Sequence, residues 1–275
     1  MTDRPKSFEE FYYLQEDKIY DIDVVEEYVA RNNGEIGKYE GNMYCPECRE
    51  AILAFWRKTS KKRAHLKRIP SSKHRETCSY NYEYVSSKRV KEYVDSLTYN
   101  EIQDKLNSIL NMLCKQHRPK AEMVDNSDGD NTQKQNPMLI VERKENADVL
   151  RVLRRKRLNA WIDKSDGEGF TVFYGKVKLG ISKKAKINKD TGEPYTFYFL
   201  EIFTQNRQGE WKYRTNIYRG GIKDEIKKDV VYNIVIIGYL DFEYKPFTIR
   251  LANCNAIKFQ ETNKKLEETV AKAEE

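Results

Sequence analysis

The sequence predicts an α+β chain in two modules: a small N-terminal domain with helices, followed by a C-terminal barrel of five β-strands. Two observations predict it. Residues 170–260 fall into five β-rich segments separated by turn residues, and three of the five cysteines and two of the three histidines lie between positions 45 and 78 of the 275-residue chain. The charged fraction, 34%, is high, but 19 Tyr, 11 Phe and 3 Trp supply more large apolar surface than disordered chains carry. A membrane helix needs roughly 18 apolar residues. The longest run here, 230–240, is interrupted by Asn233 and Gly238. The N-terminal residues contain neither a basic n-region nor an apolar h-region, so no secretory signal and a cytoplasmic location are expected, with no membrane partner.

Charge is segregated along the chain. Residues 1–44 carry 5 basic and 11 acidic side chains, and residues 45–94 carry 13 and 5; residues 151–260 carry 22 and 12. Two basic modules thus alternate with acidic stretches, the footprint expected of a polyanion partner, because a cation placed on a phosphate releases condensed counterion. The bland reading is a solvated lysine surface.

Five cysteines are too few for a disulfide scaffold and their spacing favours metal. Cys45-Pro46-Glu47-Cys48 is a knuckle whose tight turn lets both thiolates face one ion; His74 and Cys78, four apart, form a second pair suited to one helical turn. The four make a closed N/S set with no place kept for water, which favours a structural Zn²⁺ over a catalytic one. Four buried groups without an ion are the alternative reading, and His65 is the alternative to His74. Cys114 and Cys254 read as core thiols.

The order Cys-Pro-x-Cys, a basic stretch with Arg63-Ala64-His65, then His74-x3-Cys78-x-Tyr80 resembles the zinc-binding N-terminal region of the CoiA-type competence proteins and related bacterial and phage proteins, over about 40 residues. The resemblance implies that Cys45, Cys48, His74 and Cys78 are ligands and that the protein associates with DNA. Where that family has His-Phe-x-His, this chain has Ala64-His65-Leu66-Lys67, and no nuclease region clearly follows. DNA association is carried over; cleavage is not.

From 86 to 114, Val90, Val94, Leu97, Ile102, Leu106, Ile109, Leu110 and Leu113 recur at helical spacing, with a break near Thr98. This helix is expected to complete an N-terminal domain of residues 1–116 and to pack on its zinc site. Residues 117–147 read as a flexible acidic linker. At its end residues 138–141 read as an apolar strand running into Glu142-x-Lys144, which could be half of a PD-(D/E)xK nuclease site with Asp125, Asp128 or Asp130 as the partner carboxylate. Residues 148–161 read as a short helix or turn that crowds Arg151, Arg154, Arg155, Lys156 and Arg157 into a phosphate-facing strip.

Within a domain of residues 148–260, strands are expected at 171–187, 195–205, 211–218, 231–241 and 247–259, with a short helix at 222–228 before the fourth. Gly175 marks a sharp coil in the first strand. Residues 261–275 read as a frayed tail. The order β-β-β-α-β-β resembles that of the OB-fold nucleic-acid-binding superfamily. Alternation puts Phe173, Val177, Leu179 and Ile181 on one face of the first strand and Tyr174, Lys176 and Lys178 on the other; Phe197, Phe199 and Phe203 oppose Tyr198, Leu200 and Ile202 in the second, where neither face is polar and either could be the core. Thr215 and Ile217 oppose Lys212, Arg214, Asn216 and Tyr218 in the third.

Single-strand binders need flat rings on which bases stack, flanked by cations that track phosphates. The expected function is therefore nucleic-acid binding, single-stranded DNA ahead of RNA. Tyr174, Phe197, Phe199 and Tyr218 would stack. Lys176, Lys178, Lys184, Lys186, Lys212 and Arg214, with Arg154, Arg155 and Arg157, would meet phosphates. The competing reading is that Phe197 and Phe199 close the core. The zinc module is expected to offer a second contact or a surface for a protein of a DNA-processing complex, and no catalytic residues are expected. A metal-dependent nuclease and a protein adaptor are the alternatives.

Overall fold

The structure is a computed structural model that describes residues 6–60, 62–114, 136–143, 147–167, 169–243 and 247–262. The chain divides into two compact units, one of Met1–Tyr84 with His117–Val152, the other of Val85–Gln116 with Leu153–Glu275. Most of the expected linker, with Asp125, Asp128 and Asp130, as well as Lys144 and the tail beyond 262, lies outside the described residues.

In the first unit, strand β1 (Ser7–Phe8) and strand β5 (Leu53–Trp56) flank β6 (His65–Arg68) in an antiparallel sheet, and β2 (Glu10–Tyr13) pairs with both β3 (Lys18–Asp21) and β4 (Met43–Tyr44). Helix α1 (Ile22–Arg31) buries Val25 and Val29, one turn apart. These side chains meet Phe11, Tyr13, Met43, Leu53 and Leu66, all nearly inaccessible, and Cys45, Cys48 and Cys78 belong to the same core cluster. The three expected thiolate ligands are thus part of the hydrophobic core, while His74 is half-buried.

A hairpin of β7 (Leu139–Arg143) and β8 (Asp148–Val152) completes this unit. Its first strand follows the apolar run expected as a strand at the end of the linker, and its second takes the place of the first part of the expected helix or turn. Met138, Leu139 and Ile140 are buried, and an apolar run with a facing strand gains more from pairing than from solvation as a loop. In β8 Arg151 lies between Leu150 and Val152 and pairs with Glu142 and Glu83, a spacing of two that suits a strand.

In the second unit the helical pattern is split as its break suggested. Helix α2 (Ser87–Ser96) has Ser86 as N-cap, whose hydroxyl accepts from the amide of Arg89. Helix α3 (Tyr99–Cys114) starts from a capping box: Glu101 accepts from the Thr98 amide at 2.8 Å and the Thr98 hydroxyl accepts from the Glu101 amide. Helix α3 packs on the barrel of its own unit. Its buried stripe Ile102, Leu106, Ile109 and Leu110 lies on an element that contacts β10 (Thr171–Ile187), β13 (Val231–Asp241) and β15 (Ile257–Glu261). Gln103 donates to the carbonyl of Asn255, and Gln260 donates to Asn107. The reason is legible in β13, whose residues 232–238 are buried on both faces and need a cover outside the barrel as well as a core within.

The barrel is closed by five strands. β10, β11 (Pro194–Gln205), β12 (Trp211–Gly220), β14 (Thr248–Leu251) and β13 follow one another in space, and β13 returns to β10. β12 and β14 run parallel and the other four pairings are antiparallel. β9 (Arg154–Arg157) adds to β10 in parallel and β15 adds to β13. With three α-helices among the described residues, this is the α+β class and the OB-like five-stranded barrel that the sequence predicts. The core takes Phe173, Val177 and Leu179 from β10, Leu200 and Ile202 from β11, and Ile217 from β12, the faces alternation assigned. Gly175 faces this core at φ +150°, a conformation that glycine adopts at least cost, where the long strand coils from one partner to the next.

Three details differ from expectation. Residues 222–228 form no helix: Asp224 is held by Arg219, and the Tyr232 hydroxyl accepts from the amide of Lys227, so the segment is satisfied by partners outside itself. The last expected strand is two, β14 and β15, because the backbone turns at 252–256. Residues 154–157 form strand β9 and not a helix, its four basic residues alternating across the strand.

Candidate metal centre and nucleic-acid interface

Cys45 leaves β4 into a tight turn in which its carbonyl accepts from the amide of Arg49 and its amide donates to the carbonyl of Ala51. Arg49 takes φ +57° to close that turn. The second pair is set by a β-turn, Cys78 amide to Arg75 carbonyl, and not by the helical turn that the spacing suggested. The ligand atoms of Cys45, Cys48, His74 and Cys78 all lie within 4.8 Å of one another. Cys45 Sγ is 3.8 Å from Cys78 Sγ, and His74 Nδ1 is 3.4 Å from Cys48 Sγ and 3.5 Å from Cys78 Sγ. A tetrahedral ion with metal–sulfur bonds of about 2.3 Å requires sulfur–sulfur edges of about 3.8 Å, so the donor set fits such an ion.

The electrostatics point the same way. Burial pushes the Cys45 thiol up to about 12, and hydrogen bonds with Cys45 and Cys48, then burial, raise Cys78; hydrogen bonds from Cys45 and Cys78 hold Cys48 low. Left to themselves the three thiols do not ionise together. A dication among them lets all three be thiolates.

The surrounding residues orient the ligands. The Glu47 carboxylate, inside the knuckle, accepts from the amide and hydroxyl of Ser79 at 2.5 Å and from Asn136 at 2.6 Å, which ties the first ligand pair to the chain beyond the second. The His74 ring stacks beside both Phe8 and Tyr80, at 5.9 and 5.7 Å between centroids, and those two rings are themselves 4.2 Å apart. His65 is elsewhere, stacked on Trp56 with Nδ1–H donated to the Arg63 carbonyl. Of the other two cysteines, Cys114 is half-buried and Cys254 is exposed, so neither is the core thiol expected. For Cys254 the reason is the turn after β14, which lifts it out of the sheet.

On the barrel, the odd-numbered residues of β11 face outward. Tyr195, Phe197 and Phe199 line one side, and Tyr218 of β12 completes a cluster in which Phe197, Phe199 and Tyr218 lie 5.6–5.7 Å from one another and Tyr195 lies 5.8 Å from Phe197. Lys184 and Lys186 stand opposite Phe197 and Tyr195 on β10, and Lys186 Nζ is 5.7 Å from the Phe197 ring. Tyr195 and Tyr218 are 46% and 45% exposed, whereas Phe197 forms the floor at 7%. Neither Phe197 nor Phe199 is in the barrel core. Further along the same face Phe203 meets Tyr213 at 5.8 Å and Lys178 lies over Trp211.

Other expected contacts are placed differently. Tyr174 is buried, 6% exposed, on the outer side of β10 next to Val235, so its ring offers no stacking surface. Arg214 has no partner residue on β11, because a register shift between Ile202 and Phe203 leaves it out of the ladder. Its guanidinium is half-buried, donates to the Ala160 carbonyl at 2.5 Å and lies over Phe247. A bulge reverses the face of a residue without any mark in the alternation. Lys178 pairs with Asp229 and Lys212 with Glu210, and Lys176 is exposed beside Asn233 on the neighbouring strand. Arg154 is exposed on β9 while Arg155 and Arg157 are half-buried. Tyr195, Trp211 and Tyr213 were missed in the sequence, although the period of two along β11 and β12 carried the signal.

Glu142 accepts from Arg151 Nε at 3.1 Å. Comparison of the chain with protein-family models, with curated proteins and with solved structures returns no match. Among the described residues no helix is long and apolar enough to cross a membrane.

Proposed function

We propose that this protein binds single-stranded nucleic acid, DNA ahead of RNA, on the outer face of β11 and β12. The observation that carries this reading is the cluster of Tyr195, Phe197, Phe199 and Tyr218 on an outer sheet face, bordered by Lys184 and Lys186. Exposed tyrosines on a fixed aromatic floor offer π-faces to any base, and the two lysines reach the phosphates between them. The strand order, with the first strand closing on the fourth and the third parallel to the fifth, is that of the OB fold, which binds oligonucleotides on this side of the barrel. The ion that fits the Cys₃His set is Zn²⁺ in a structural role: four protein ligands leave no open position, and all three sulfurs lie in the hydrophobic core.

Fluorescence anisotropy with labelled single-stranded and duplex oligonucleotides at two salt concentrations tests this. Binding that favours single strands and weakens steeply with salt is expected. Equal affinity for duplex, or no binding by protein carrying a full complement of zinc, would sink the reading.

A further inference from the structure

Between Glu50 and Glu76 the chain holds nine Lys and Arg residues and no acidic one. Its described residues 53–60 and 62–68 make the β5–β6 hairpin of the first unit, with Arg57, Lys58, Lys62, Arg63, Lys67 and Arg68 among them. Pairing sets Trp56 opposite His65 and Ala54 opposite Lys67, so these four share one face, while Leu53 and Leu66 are buried in the core behind it. The Trp56 indole is 55% exposed. The His65 ring lies nearly parallel to it, 12° between planes and 6.4 Å between centroids, and is fixed by its bond to the Arg63 carbonyl. Lys67 Nζ is 5.3 Å from the indole. In the connection between the strands Lys58 and Lys62 are exposed and make no ion pair among the described residues. Arg57 and Arg68 have structural work, donating to the Gly34 carbonyl and to the carbonyls of the 69–72 turn.

We propose that this face is a second single-stranded nucleic-acid site, in which a base stacks on Trp56 beside His65 while Lys67, Lys58 and Lys62 meet the flanking phosphates. The inference rests on the reading that the protein works on nucleic acid, but it uses a different unit and different residues. An acidic peptide would satisfy the lysines and leave the flat, exposed indole unused. A strand carrying both bases and phosphates matches the ring and the cations together.

The full chain bearing Trp161→Phe and Trp211→Phe keeps Trp56 as its sole tryptophan, so its emission reports this face alone. A short oligothymidylate is expected to quench it saturably, and to do so still when Phe199→Ala and Tyr218→Ala are added. In the otherwise native chain Trp56→Ala is expected to weaken oligonucleotide binding about tenfold and Trp56→Phe much less, with bound zinc measured to show that the unit is folded. No quenching, in a protein whose oligonucleotide affinity does fall with Phe199→Ala, overturns this site and leaves the barrel reading standing. Quenching that disappears with the barrel variants, or that polyglutamate reproduces, overturns it too. Absence of all binding overturns both.

Discussion

The sulfurs of Cys45 and Cys78 lie 3.8 Å apart, nearly twice the length of a disulfide bond and equal to the edge of a metal–thiolate tetrahedron. Both are at most 2% exposed in a core that also holds Phe11 and Leu53. An ion held by these sulfurs would therefore couple its binding to the folding of this unit. Chelation is expected to remove the cooperative unfolding of the first unit while the barrel still melts as before. Cys78→Ala should do the same, with bound zinc falling to none. A single calorimetric transition unchanged by chelator would contradict it.

Tyr218 and Phe197 touch at 5.7 Å but should respond differently to truncation. Tyr218 is half exposed, so Tyr218→Ala should change stability little and weaken single-strand binding by about 1–3 kcal/mol. Phe197 is buried, and Phe197→Ala should cost about 3 kcal/mol of stability, which makes it a poor probe of binding. Urea titration beside anisotropy separates the two effects.

Salt dependence tests the lysines. Removing Lys184 or Lys186 should reduce the slope of log affinity against log salt by about 0.7 each, the value for one phosphate contact on a single strand. An unchanged slope would place the phosphates elsewhere.

Arg219 and Asp224 form a bidentate ion pair with side chains only 7% and 9% exposed, and Arg219 also donates to the Cys254 carbonyl. Arg219→Ala strands a buried carboxylate and should destabilise the second unit by about 3–5 kcal/mol. The double variant with Asp224→Ala should recover part of the loss, as urea unfolding would reveal.

Lys105 on α3 lies over the Tyr93 ring, and burial lowers its pKa from 10.5 to about 8. Between these values the unfolded chain binds more protons than the folded one, so stability should rise as pH increases from about 8 and carry its full penalty below. Lys105→Met should stabilise the second unit near neutral pH by about 3 kcal/mol at most and flatten the pH profile. Denaturation of both proteins at pH 7 and 9.5 would show whether it does.

Much of the site was legible in the sequence because it depends on local rules. The ligand spacing of Cys45, Cys48, His74 and Cys78 reflects what a short turn can present to one ion, and the period of two sorted Phe173 and Val177 inward on β10 and set Phe197 and Phe199 on the face of β11 opposite Leu200, although only the assembled barrel decided which of those two apolar faces is the core. The break at Thr98 followed from a capping box that involves only its own neighbours. The tertiary structure alone decided what needs a partner distant in sequence. The gathering of His74 with the three cysteines came with its stacking beside the Phe8 and Tyr80 pair, while His65 went to Trp56, and the burial of Tyr174 came with the outer face of β10, a strand that α3 also contacts. The turning of Arg214 toward Ala160 came from a register shift between two strands. Periodicity records which side of an element a residue occupies; only the assembled core settles what lies on that side.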